Sequence, residues 1–136
     1  MKASSLSFKA APLFALVGMA MGIAMAIARD HSTMPAHAHL NLLGWVSLFL
    51  FGIYYRLHPA TDVSRVARVQ VGLWTLGTIV LTIGVAAIHM GYEAADPVAA
   101  GGSLILLAAM ALFAVLAFRP AAAARPSGPV VLAPAE

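Results

Sequence analysis

The length of its apolar runs constrains this chain more than any other feature. Four runs, at residues 10–28, 38–57, 66–90 and 98–118, make up most of the sequence. Each is close to the ~20 residues that a helix needs to cross a bilayer core of about 30 Å. Lipid offers no partner to an open strand edge, so helix is the state these runs can adopt. Composition agrees. Of 136 residues, 62% are hydrophobic and only 10% are charged, against roughly 25% charged in a soluble domain. The expected fold class is all-α: an integral membrane four-helix up-down bundle spanning residues 1–118, then a disordered Pro/Ala-rich tail at 119–136.

Punctuation falls between the runs. Pro35 suits a first helical turn, Gly91 follows the third run, and Pro97 opens the fourth. Lys2, Lys9, the apolar run and Ala26-Ile27-Ala28 also fit a secretory signal with an A-x-A cleavage site. The run is long for that role, and Gly18 and Gly22 form a small-residue face suited to helix packing, so a retained helix is expected. Gly72, Gly77 and Gly84 offer similar faces, within the chain or in a homodimer. Lys2, Lys9, Arg56, Arg65, Arg68, Arg119 and Arg125 fall on one side of the runs. Arg29, Asp30, Glu93 and Asp96 fall on the other. The positive-inside rule then puts both termini in the cytoplasm, in a multi-pass protein of the bacterial inner membrane.

With no cysteine in the chain, disulfides, iron–sulfur clusters and covalently attached haem are excluded. The net charge of +3 reflects topology determinants, and no basic face with a stacking platform points to nucleic acid. There is no nucleophile–base constellation, no phosphate-binding glycine loop and no pair of intramembrane carboxylates. The chain is therefore not expected to be an enzyme by itself.

The informative pattern is histidine depth. Of the five histidines, His31, His37, His39 and His89 lie at the outward end and only His58 at the other. Intramembrane ionisable residues mark functional sites. On the third run, Thr75, Thr78, Thr82 and His89 share a helical stripe, which predicts that His89 points inward. On the second, His37, Asn41, Gly44 and Ser47 make a similar stripe, while His39 lies about 200° around from His37. One face cannot carry both, and the stripe alone prefers His37. Tyr54 and Tyr55 with Arg56 read as an interfacial belt.

Two neutral imidazoles from facing helices can ligate a b-type haem axially. Arg29 lies at the level of the propionates, and Asn41 and Trp45 can donate hydrogen bonds that orient a ligand. Copper is the alternative, through His31, Met34, His37, His39, His89 and Met90. A structural or assembly subunit without cofactor is the third reading.

The stretch "HAHLNLLGWVSLFLFGIYYRL" resembles the second membrane helix of the haem-copper oxidase and nitric-oxide reductase catalytic subunits, whose "H-T-N-L-L" type motif matches His39-Leu40-Asn41-Leu42-Leu43. The chain also resembles short four-helix, oxidase-subunit-like bacterial membrane proteins. The resemblance implies that His39 is a low-spin haem ligand, where the stripe prefers His37. The catalytic subunits have many more helices, and the later ones carry the binuclear-centre histidines. The implied role is thus electron transfer, or an accessory part beside a respiratory oxidase or reductase. Topology and facing give His89 as the second ligand.

Overall fold

The computed structural model describes residues 1–118; the tail expected at 119–136 lies outside the described residues. Four helices are long and apolar enough to cross a membrane: α1 (Ala3–Ala28), α2 (Met34–Leu57), α4 (Arg65–His89) and α5 (Asp96–Ala117). A one-turn helix, α3 (Pro59–Asp62), joins α2 to α4, and a short 3₁₀ turn at Glu93–Ala95 precedes α5. No strand occurs among the described residues. The helices therefore match the four apolar runs, with ends moved by capping groups that hydropathy does not register.

The largest shift is at α1, which starts seven residues before its apolar run. Lys2, at its N-cap position, makes no capping hydrogen bond. The cap comes instead from Asp62 of α3, buried to 2% exposure. Its carboxylate accepts from the Ser4 backbone N–H at 2.7 Å and from the Ser4 hydroxyl at 2.8 Å. An anion at a helix N-terminus satisfies donors that have no partner within the helix and complements the macrodipole. The other ends follow ordinary rules. Pro35 and Pro97 sit in the first turns of α2 and α5. Gly91, at φ 92°, closes α4 in a Schellman motif, with Gly91 N–H bonded to the Ile88 carbonyl and Tyr92 N–H to that of Ala87. Arg29 closes α1 in the same geometry at φ 54°, the one non-glycine residue with positive φ among those described.

Two glycine-mediated interfaces set the packing order. Between α1 and α2, Gly22 faces His37, Gly18 faces Asn41, and Phe14 and Phe8 lie over Gly44 and Gly52. Numbers fall along one helix as they rise along the other, which is an antiparallel register. Between α4 and α5 the contact reaches the backbones. A Cβ on Gly84 would lie 2.5 Å from the Ala99 nitrogen, and one on Gly102 would lie 2.5 Å from the Leu81 nitrogen. Packing of this closeness, through small residues, is how helices associate where no hydrophobic force drives them together. Gly72 departs from the expectation: nothing among the described residues lies within 4 Å of where its Cβ would be.

α4 is the central element. It packs against α2 on one side and α5 on the other, and α1 seats mainly on α2. Its most apolar stretch is 39% buried, against 17% for α1 and α5. α5 reaches α2 through Phe113, whose ring lies 4.6 Å from that of Phe51, and Phe51 in turn meets Trp74 edge-on at 4.9 Å. Tyr55 belongs to this core and not to an interfacial belt. Fully buried, it donates a 2.8 Å hydrogen bond to Gln70 Oε1. Tyr54 is the partly exposed member of the pair, with its ring stacked on His58 at 4.2 Å.

Candidate functional site at the histidine end

The turn between α1 and α2 and the turn between α4 and α5 lie at one end of the bundle, which carries His31, His37, His39 and His89. The second helix is unusual there. Directly after His39 its backbone widens into a π-helical segment, Leu40–Ser47. In an α-helix a step of four residues drifts by about 40°. The wider winding offsets that drift, so Leu40, Gly44, Leu48 and Gly52 all stay on the buried side. The segment is pinned from two directions. Trp74 of α4 donates its indole N–H to the Leu43 carbonyl at 3.0 Å, and the Ser47 hydroxyl donates to the Leu42 carbonyl at 2.8 Å. π-Helical turns occur frequently at functional sites.

The structure separates the two histidines that sequence could not rank. His37 faces α1: its Cε1 lies 3.1 Å from where a Gly22 Cβ would be. Asn41 lies on the same side over Gly18 and donates to the His37 carbonyl at 2.9 Å. The polar stripe therefore correctly identified an interhelical face, and that face is the contact with α1. His39, half-buried, sits elsewhere on α2, with its Nδ1 bonded to the Pro35 carbonyl at 2.7 Å. A carbonyl only accepts, so Nδ1 carries the proton, and Nε2 is the ring nitrogen left for a ligand role.

His89 makes the same local bond, from Nδ1 to the Val85 carbonyl at 2.9 Å. It is exposed, which corrects the expectation that it points into the bundle. The stripe itself does face protein: Thr78 is fully buried, bonding the Trp74 carbonyl, and Thr82 holds a buried hydroxyl with no partner among the described residues. His89 is exposed because it is the last residue of α4, past the stretch that neighbouring helices cover.

The remaining candidates divide. Arg29 is exposed at the same end, held by its left-handed C-cap conformation. Beside it Asp30 accepts from the Ser32 N–H at 2.9 Å, and the hydrogen bonds from Ser32 lower its carboxyl below the usual range. Trp45 is 46% exposed on the outside of α2 and forms no indole hydrogen bond among the described residues. The indole that does reach across helices is that of Trp74, which lies four residues from both Gln70 and Thr78 on a stripe readable in the sequence. No group of three or more histidines and carboxylates gathers at metal-binding distance among the described residues. The copper set built on His37, His39 and His89 together is thus not assembled within one chain. A two-histidine axial pair does not depend on such a group.

Sequence reasoning also missed Asp62 and Ser4, which join α1 to α3 across 58 positions. Their signal is faint: an aspartate in a linker and a serine before the first apolar run. Compared with known proteins, the chain matches no family model, no curated protein and no solved structure.

Proposed function

We propose that this is a small multi-pass membrane protein that carries b-type haem at its histidine end, with His39 and His89 as axial ligands. Its role is electron transfer or support of a respiratory oxidase or reductase in the bacterial inner membrane. One observation carries the reading. His39, His89 and His58 each tie Nδ1 to the carbonyl four residues back, and of these three only His39 and His89 stand at the same end of two helices that pack against each other, with no bond from Nε2 among the described residues. Ligating histidines characteristically donate their second ring nitrogen in this way, which fixes tautomer and ring orientation. The donor chemistry fits haem iron, and bound haem would supply a one-electron couple.

The other residues take supporting parts. His37 and Asn41 hold α2 on α1, which fixes the segment that carries His39. Trp74 secures the widened turn behind it. Arg29 is the cation at the same end available to propionates. Side-chain exposure bears on where the group sits: His89 is exposed and His39 half-buried, so the ligating face is the outside of α2 and α4, within the lipid boundary.

The test is a reduced-minus-oxidised spectrum of the detergent-purified protein from haem-replete cells. The expected result is a Soret band with sharp α and β bands, lost in His39→Ala and in His89→Ala and kept in His31→Ala and His58→Ala. A colourless preparation overturns the proposal.

A further inference from the structure

At the opposite end a groove of about 390 Å³ runs between α1 and α4. Leu6 and Ala10 form one wall; Val71, Gly72, Leu76 and Ile79 form the other. From Val71 to Ile79 it follows α4 for roughly 12 Å, at 1.5 Å per residue. Its one hydroxyl, that of Thr75, is turned away to the Val71 carbonyl. Leu76 is 49% exposed, so the groove opens sideways to what surrounds the helices. Gly72 creates the space, since a side chain there would project into open volume.

The groove ends in positive charge. Arg68 lies one helical turn before Gly72, and its guanidinium reaches over to the Met1 carbonyl at 3.4 Å, spanning the mouth from α4 to the start of α1. Lys2, exposed, lies one turn before Leu6. Lys9, Arg56 and Arg65 are also exposed on this end. The acidic residue nearest in sequence, Asp62, is buried and engaged by Ser4. The mouth is therefore cationic and the slot behind it apolar.

We infer that this groove binds one anionic phospholipid, with an acyl chain between α1 and α4 and the phosphate on Arg68 and Lys2. Charge selects the headgroup: a zwitterionic lipid brings its own cation to a mouth already positive, and free phosphate leaves the slot unfilled. Basic pockets between membrane helices bind acidic headgroups by this combination. The inference is independent of the haem reading, which concerns the other end.

The experiment is native mass spectrometry of the full chain in detergent, with equal amounts of phosphatidylglycerol and phosphatidylcholine of identical chains. About thirty-fold more phosphatidylglycerol adduct is expected, Arg68 and Lys2 each contributing the roughly five-fold effect of one basic side chain near an anionic headgroup. Arg68→Gln should lower that ratio about five-fold. Gly72→Leu should fill the slot and lower adducts of both lipids. Equal retention of the two lipids by the unmodified protein overturns the inference. So does a ratio that Arg68→Gln leaves unchanged, which would assign the preference to the basic rim at large. If Arg68→Gln does not fold, Lys2→Gln, at an exposed position, decides by the same ratio: an unchanged preference counts against the site.

Discussion

The two ends of the bundle differ in whether buried polar side chains join one element to another. At the basic end two such pairs do, Asp62 to Ser4 and Tyr55 to Gln70, while exposed His58 bonds the Tyr54 carbonyl of its own helix. At the histidine end, His39, His89 and Asn41 each bond a carbonyl four residues back on their own helix, and none is fully buried. Bonds between elements fix the order of packing. Bonds within a helix orient a side chain without consuming its remaining capacity. The first end thus reads as the clamp of the fold, and the second as prepared chemistry whose imidazole Nε2 atoms remain available.

Removing the clamp should have the largest effect. Asp62→Ala deletes both acceptors of Ser4 and leaves a backbone donor and a hydroxyl unpaired in a buried place. Hydrogen bonds to charged groups contribute about 1.5–3 kcal/mol each, so a loss of about 3 kcal/mol is expected in reversible unfolding in mixed micelles. Asp62→Asn keeps one acceptor and should cost about half as much by the same reasoning. If Asp62→Ala costs no more than a histidine-end substitution, the contrast between the ends fails.

Trp74→Phe probes the junction between the ends. It deletes the donor to the Leu43 carbonyl and also shrinks a buried ring that meets Phe51 edge-on. About 2 kcal/mol should be lost, the hydrogen bond and the void contributing comparably, with a change in the proposed haem's band position if the widened turn positions His39. A cost without spectral change would make Trp74 part of the clamp alone.

The order in which these features could be read from sequence follows from their physics. The four helices were legible because uninterrupted apolar runs of about 20 residues, long enough to cross a bilayer, favour helix. Pro35, Gly91 and Pro97 were legible because each acts through its own covalent geometry. The early start of α1 was not, because its cap is supplied by Asp62 from 58 positions away. The exposure of His89 is not legible from its stripe, because Thr78 and Thr82 do face protein while His89 ends the helix beyond the covered stretch. His37 was correctly placed on an interhelical face, but periodicity does not name the neighbour across it. The π segment left a trace, the step-of-four repeat of Leu40, Gly44, Leu48 and Gly52, that has meaning only once the wider winding is known.

A smaller effect, of opposite sign, is expected at Arg29. Its left-handed conformation costs an L-residue with a Cβ about 1–2 kcal/mol, and glycine removes that strain at a cost of about 0.5–1 kcal/mol in unfolded-state entropy. Arg29→Gly should therefore stabilise the haem-free protein by about 0.5 kcal/mol, the balance of those two effects. If Arg29 meets a propionate, the same change should weaken haem retention, so stability and haem occupancy would move in opposite directions.

The smallest change in stability should accompany the largest change in chemistry. His89→Ala removes an exposed side chain whose one hydrogen bond returns to its own helix. Exposed substitutions of this kind stay within about 0.5 kcal/mol, and the half-buried His39 should cost little more in the haem-free protein. On the proposed haem reading, both should nevertheless abolish the haem spectrum. His37→Ala should behave in reverse. Its ring packs against Gly22, so it should cost more than His89→Ala in unfolding while leaving the haem bands in place. A His37 variant that loses haem without losing stability would move the ligand to the α1 face of α2, and would transfer the role now given to His39 to the residue two positions before it.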